Sequence, residues 1–224
     1  MGKYTHCVVI RFRYPEITEG VKWRFNYLKS EVLPRLLRQS RQDFDLAILC
    51  NPQHRDLIKS LGHKIIPCFI KEEWVGQQHV DFLPYENIIG LRRYKIQTAV
   101  DSDDLILRED YIAKIESLFA SKRHSCYLSF QPYIQDLGTG KIYHYTPYAS
   151  GGSPCYSLYQ PDTRLAYKFI YHQSHRHMRE LAEEGITIPE GYCTLTIHDF
   201  NVTGGTVPYP NQGWVRSYKD KPSF

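Results

Sequence analysis

Three carboxylates fall within four positions of Val100-Asp101-Ser102-Asp103-Asp104-Leu105, directly after a short apolar run. Like charges this close repel, so the cluster is costly unless a cation or several hydrogen-bond donors neutralise it. Hard carboxylate oxygens suit Mg2+ or Mn2+, ions that keep waters and bridge to substrate phosphates. The spacing is not that of an EF-hand, because no D-x-[DN]-G with a later bidentate Glu follows. The bland alternative is a solvated loop whose Asp104 caps the next helix. Far along the chain, Leu195-Thr196-Ile197-His198-Asp199-Phe200-Asn201 carries a histidine at the end of an apolar strand. A lone histidine is more often structural, but a neutral imidazole there could complete a metal site begun by the aspartates.

Other candidate motifs fall away on their spacing. His172, His175 and His177 invite a zinc reading, yet helix phase puts only His172 and His175 on one face. No Cys or carboxylate completes a tetrahedral set with them, so they read as structural or surface residues. The loop Ser150-Gly151-Gly152-Ser153 lacks a P-loop lysine, and no G-x-G-x-x-G follows the first strand. ATP hydrolysis and dinucleotide redox chemistry are therefore not expected. No Ser or Cys stands in a nucleophile elbow. Asn201-Val202-Thr203 matches the glycosylation sequon by chance, given no secretory signal.

The elements that would position these residues alternate between strand and helix. Cys7–Ile10, Phe44–Cys50 and His63–Ile70 are short apolar runs that read as buried strands. Between them, Lys22–Arg38 has helical apolar spacing, with Pro34 predicting a kink or a second start, and Gln53–Leu61 is a short helix capped by Gly62. Residues 71–87 are polar and irregular. A helix is predicted from about Asn87 to Gln97, then the short strand Thr98-Ala99-Val100, then a helix over Asp110–Phe119. In the second half, Cys126–Phe130 and Lys141–Tyr145 read as antiparallel strands around the turn Leu137–Gly140. A helix is predicted over Ala166–Glu184 and a last strand over Cys193–His198. Strand–helix alternation of this kind predicts βαβ units and a mostly parallel sheet.

Composition sets the bounds. The chain has 224 residues, 42% hydrophobic and 23% charged, as in ordinary soluble domains, which excludes disorder, collagen and coiled coil. A formal charge of +4, without a basic run, suits an anionic small ligand and does not call for nucleic acid. No stretch approaches a membrane span, and the first residues lead into a strand with no signal-peptide core. Gly2 does not make a myristoylation site, since His6 stands where Ser or Thr is needed. The six cysteines, at 7, 50, 68, 126, 155 and 193, form no C-x-x-C pair and read as reduced, buried thiols. A cytoplasmic protein is expected, with peripheral contact with a membrane left open. The 18 tyrosines could line a carbohydrate or nucleobase site, though most should fill the core.

An acidic motif after a hydrophobic strand, with a late strand ending in His198, resembles a GT-A-type glycosyltransferase. Arg11-Phe12 after the first strand, Trp23-Arg24 opening a helix, Gln97-Thr98 before the acidic cluster and Ile197-His198-Asp199-Phe200-Asn201 resemble the rhamnosyltransferase family more specifically. The similarity spans roughly residues 6–203 as scattered short motifs. It implies a GT-A-like α/β fold: a single domain with a mixed, mainly parallel sheet and helices on both faces. About 1–104 would form the nucleotide-sugar-binding half, about 105–203 the acceptor-facing half, and 204–224 an irregular tail. It further implies Mn2+ or Mg2+ as cofactor, a nucleoside-diphosphate-sugar donor and a glycan or glycoconjugate acceptor. Asp101 would touch the donor ribose or the metal, Asp103 and His198 would hold the metal, and Asp104 would lie behind it or near the sugar as a catalytic carboxyl. Arg11, with Arg13, would help hold the nucleotide. The family carries an Arg just before its acidic motif; here Ala99 and Val100 fill that stretch, and Arg92 or Arg93 would substitute, with Gln97 beside the donor.

An inverting transfer needs a carboxylate to take the acceptor proton. Asp162, after the 151–154 loop, is the first choice among Asp162, Glu180, Glu183, Glu184, Glu190 and Asp199. Two rivals are a nucleotidyltransferase that releases pyrophosphate, and a Ca2+-dependent glycan-binding module that ignores nucleotides.

Overall fold

Strand β1 (His6–Phe12), built on the β-branched run Val8-Val9-Ile10, is buried at six of its seven positions. A strand apolar on both faces belongs in the middle of a covered sheet. The computed structural model describes residues 5–14, 17–62, 64–70, 88–91, 93–138, 140–144, 155–162, 170–171, 182–188 and 191–198. The other strands are β2 (Phe44–Cys50), β3 (Ile65–Phe69), β4 (Ile96–Asp101), β5 (Cys126–Phe130), β6 (Tyr133–Asp136), β7 (Lys141–His144), β8 (Tyr156–Tyr159), β9 (Glu184–Ile188) and β10 (Thr194–Ile197). Seven of them form one sheet in the order β3-β2-β1-β4-β8-β5-β9. Strands β3, β2, β1 and β4 are mutually parallel; β8 runs antiparallel between β4 and β5, and β9 is parallel to β5. A small second sheet has the order β10-β6-β7.

Alternate residues of β1 feed two cores. Val8, Ile10 and Phe12 join a cluster with Val21, Phe25 and Leu28 and with Ile112, Ile115 and Phe119, whereas Cys7 and Val9 face Leu91, Tyr94 and Ile170. Helices α1 (Glu19–Tyr27), α2 (Leu33–Leu37), α3 (Arg55–Lys59) and α5 (Tyr111–Phe119) thus cover one face, and the short α4 (Ile88–Leu91) lies on the other. All six cysteines are free and buried, as their apolar settings predicted. No helix among the described residues is long and apolar enough to cross a membrane.

Helix α1 starts where Thr18 Oγ1 accepts from the Val21 amide, 3.3 Å away. It does not end at Pro34. The chain widens into a π-helical turn over Leu28–Val32 and continues as α2, with Pro34 in its first turn. Proline has no N–H and crowds the carbonyl four residues back, so a wider turn before it relieves the clash.

Three sequence expectations are corrected. The helix predicted to Gln97 stops at Leu91, and Ile96 and Gln97 already belong to β4, because pairing with both β1 and β8 decides the segment. The strand across the 137–140 turn from Lys141 is β6, not Cys126–Phe130, which enters the main sheet between β8 and β9. Gly140 makes that turn at φ +70°, where a side chain would be strained. The helix expected over Ala166–Glu184 does not reach its end: Ile170 and Tyr171 form a turn, and Glu184 opens β9. Residues 166–169 and 172–181, which include the three histidines, lie outside the described residues, as do the 150–154 loop and the 204–224 tail.

Candidate active site at the carboxyl edge of the sheet

Parallel pairing of β1 with β4 sets Arg11 directly opposite Asp101, at the carboxyl ends of both strands. Open α/β sheets bind ligands along that edge. Arg11 Nη2 lies 3.1 Å from the Asp101 carboxylate, and its guanidinium carbon sits 5.6 Å above the Tyr171 ring. Asp101 pushes the Arg11 pKa up, so this cation is permanent. Tyr171 is itself tethered, its hydroxyl donating to the Val9 and Val100 carbonyls at 3.2 and 3.5 Å.

Asp103 lies two residues on, 8% exposed, between two elements far apart in sequence. Arg24, from α1, forms an ion pair with its Oδ2, and His198 Nε2 lies 2.9 Å from the same oxygen. Burial raises the pKa of Asp103, but the His198 hydrogen bond and the Arg24 charge outweigh it, and the net shift is downward. Helix α1 supplies more than the arginine. Trp23 packs on the His198 ring at 4.2 Å and stacks on Tyr27, whose hydroxyl bonds Thr196. The Arg24 guanidinium also sits 5.2 Å over the Tyr14 ring, and the Tyr14 hydroxyl lies 3.1 Å from Ser102 Oγ.

Backbone pairing brings His198 here. The Thr194 amide donates to the Leu105 carbonyl at 2.9 Å, and the Leu107 amide to Tyr192 at 2.8 Å. One step further along, the Thr196 amide donates to Asp104 Oδ1 at 2.8 Å. Asp104 is only 2% exposed. Its burial, with the charges of Asp103 and Asp101, lifts its pKa well above the usual carboxylate range. Asp104 thus clamps β10 to the acidic loop, and its Oδ1 is already taken by the backbone.

The structure thus brings together Arg11, Asp101, Asp103 and His198. It leaves other candidates elsewhere. Asp162 follows β8, whose end at Tyr159 is level with Ile96, so it sits at the amino edge, away from Asp101. Arg93, ahead of β4, is at that same edge. Gln97 is fully buried in mid-strand, its Oε1 accepting from the Ile170 amide at 3.1 Å; it holds the turn that carries Tyr171 under Arg11. Glu183 and Glu184 belong to the β9 end. Arg92, Glu180, Glu190 and Asp199 lie outside the described residues.

Sequence reasoning named Trp23-Arg24 only through family resemblance and missed what they do. A signal was present: Val21, Arg24, Phe25 and Leu28 follow helical i, i+3, i+4, i+7 spacing, which sets Arg24 on the buried stripe. A charge on that stripe demands a partner.

Carboxylate oxygens and an imidazole nitrogen are ligand types that Mn2+ accepts, together with substrate phosphates and waters. Asp103 Oδ2 already carries the Arg24 ion pair and the 2.9 Å hydrogen bond with His198 Nε2, so an ion there would take the place of that hydrogen bond. The third expected ligand, Asp101, does not close a cage: the three groups do not bring one ligand atom each within 4.8 Å of one another.

No family model matches the sequence, and no curated protein matches it. The chain is similar in structure to residues 1–349 of S. aureus TarS, with a TM-score of 0.54 at 13% identity, over 85% of this chain and 60% of that one. The same fragment solved in complex with UDP-GlcNAc gives a TM-score of 0.54 at 13% identity, over 86% and 58%. The chain therefore spans about 60% of the length of the TarS fragment that it matches. Likeness at this identity defines the fold alone: a mixed α/β domain with a mostly parallel central sheet.

Proposed function

We propose that this chain is a glycosyltransferase that takes a sugar from a nucleoside-diphosphate donor and passes it to a carbohydrate acceptor. The observation that carries this reading is the Arg11–Asp101 and Arg24–Asp103–His198 constellation at the carboxyl ends of β1 and β4. The fold likeness to TarS, which has been solved with UDP-GlcNAc, supports it.

In this reading Asp103 and His198 hold Mn2+ or Mg2+. The chemistry such an ion supplies is Lewis-acid stabilisation of the charge that develops on the departing nucleoside diphosphate. The chain's own groups do the rest. Arg11, aligned by Asp101 and Tyr171, presents a fixed cation to the diphosphate, where a preorganised charge costs no reorganisation during transfer. Asp101 faces the donor ribose or sugar hydroxyls. Trp23 packs on the His198 ring and keeps it beside Asp103. Rhamnose as the transferred sugar rests on the family resemblance alone. An inverting transfer would draw its base from the carboxyl edge, where Asp162 does not lie.

A thermal-shift panel tests this: UDP, dTDP, GDP and ATP, each with Mn2+ and with EDTA. A ligand that binds only the native state raises the melting temperature by mass action. Metal-dependent stabilisation by one nucleoside diphosphate, abolished in Asp103→Asn, is expected. No shift with any nucleotide would sink the proposal, and pyrophosphate release from a triphosphate plus a sugar phosphate would replace it with nucleotidyl transfer.

A further inference from the structure

A second cluster of ligand-type side chains sits at the other end of the same sheet. Cys126 opens β5, Glu184 opens β9, and the two are direct partners in the parallel register. His124 precedes β5 by two residues. His124 Nε2 lies 2.8 Å from Glu184 Oε2, and Cys126 Sγ lies 3.5 Å from that same oxygen. An imidazole nitrogen, a thiol sulfur and a carboxylate oxygen thus all fall within 4.8 Å of one another, which no other His, Cys, Asp and Glu group among the described residues does. Lys122 Nζ takes the second oxygen, Oε1, at 2.5 Å and leaves Oε2 to the cluster.

The corner is stiff. The Glu183 and Glu184 amides both donate to the Ser125 carbonyl, at 3.1 and 3.2 Å. The Ser125 hydroxyl returns a bond to Glu183 Oε1 at 3.1 Å. Cys126 is level with Tyr159, and Tyr159 with Ile96, the first residue of β4. The cluster therefore stands about five strand residues, or ~17 Å, from Asp101.

We infer that His124, Cys126 and Glu184 form a zinc site, completed by one water, that ties β5 to the edge strand β9. One nitrogen, one sulfur and one oxygen suit a borderline-soft tetrahedral ion, whereas Mg2+ and Ca2+ want oxygens alone. With zinc bonds of about 2.0–2.3 Å, tetrahedral ligands stand about 3.3–3.6 Å apart. The sulfur–oxygen separation is already 3.5 Å, and the exposed His124 ring needs to open by about half an ångström to match. Hydrogen bonds from Lys122 and His124 lower the Glu184 pKa to about 2, so its carboxylate is ionised and ready to bind. Burial and the Glu184 charge push the Cys126 thiol up to about 11, so it is protonated in the free protein. Binding breaks the S–H bond, forms the S–Zn bond and releases one proton to solvent, with no change of oxidation state. His124 binds through Nε2 as the neutral ring, its proton on Nδ1.

The test uses the full chain, stripped of metal, titrated with Zn2+ by calorimetry and with Co2+ by absorbance. One equivalent that is lost in Cys126→Ser should bind at neutral pH with about one proton released, and Co2+ should show a thiolate charge-transfer band. Zinc at a hundredfold its Kd should raise the melting temperature by ~5–10 °C. Cys126→Ser should abolish the band. His124→Ala, a change at an exposed side chain, should weaken zinc binding at least tenfold. Asp103→Asn, at the far edge, should leave the cobalt–thiolate band intact, which separates this site from the one proposed above. Absence of zinc binding, a band that survives Cys126→Ser, or unchanged affinity in His124→Ala would each overturn the inference.

Discussion

Arg24→Gln removes the guanidinium from a carboxylate that is 8% exposed, leaving His198 as the described partner of Asp103 Oδ2. Breaking a buried ion pair from one side costs about 3–5 kcal/mol, because the remaining charge is stranded. His198 still serves Asp103, so the lower end applies, about 3 kcal/mol. At 2–4 °C per kcal/mol for a chain of this size, the melting temperature should fall by about 6–12 °C. Asp103→Asn alone strands Arg24, itself 4% exposed, and should cost about as much. The double variant leaves neither charge buried, so its loss should fall short of the sum by about 2 kcal/mol or more. Chemical unfolding of the four proteins in EDTA measures this coupling. Mn2+ should recover part of the loss in Arg24→Gln, because it replaces the missing positive charge, but none in the double variant. Single losses that add within about 0.5 kcal/mol would show that this pair does not bind α1 to the acidic loop, and the charge accounting for the site would fail.

Two further outcomes follow from buried titratable groups. Burial pushes the Asp104 pKa up, so Asp104→Asn should change stability by less than about 1 kcal/mol at pH 7, since the amide oxygen can still accept from Thr196. Asp104→Ala strands that buried N–H and should cost about 1–3 kcal/mol; equal losses in the two variants in thermal melts would count against the Thr196 bond as the role of Asp104. His6 is fully buried against Thr98, and burial lowers its pKa despite the opposing Glu116 hydrogen bond and charge. Below pH ~6.5 the unfolded chain takes up a proton that the folded chain refuses, so stability should decline with acidification until the lowered folded value is reached, by at most about 1.4 kcal/mol per pH unit. His6→Gln should flatten that limb of the stability–pH curve, and an unchanged limb would exclude His6 as its source.

The parallel half of the sheet was legible because its strands are buried on both faces and stand out as continuous apolar runs, as in Phe44-Asp45-Leu46-Ala47-Ile48-Leu49-Cys50. Strands β8 and β9 were not. Tyr156-Ser157-Leu158-Tyr159 mixes polar and aromatic residues, and Glu184-Gly185-Ile186-Thr187-Ile188 begins with a charge and a glycine inside what scans as helix. Both are strands because the backbone groups of β4 and β5 need partners, which no local window displays.

For the site, the sequence by itself determined that carboxylates would crowd the end of one strand and that a histidine would end another. It also required that something neutralise them, since charge density is a property of spacing alone. Only the tertiary structure decided which groups answer. Register across β1 and β4 chose Arg11 for Asp101, the buried stripe of α1 chose Arg24 for Asp103, and β10 pairing beside Leu105 chose His198. The same packing divided three like carboxyls into an arginine-paired Asp101, an Asp103 whose pKa is held down and an Asp104 whose pKa is pushed up, because each meets different donors in a low-dielectric setting.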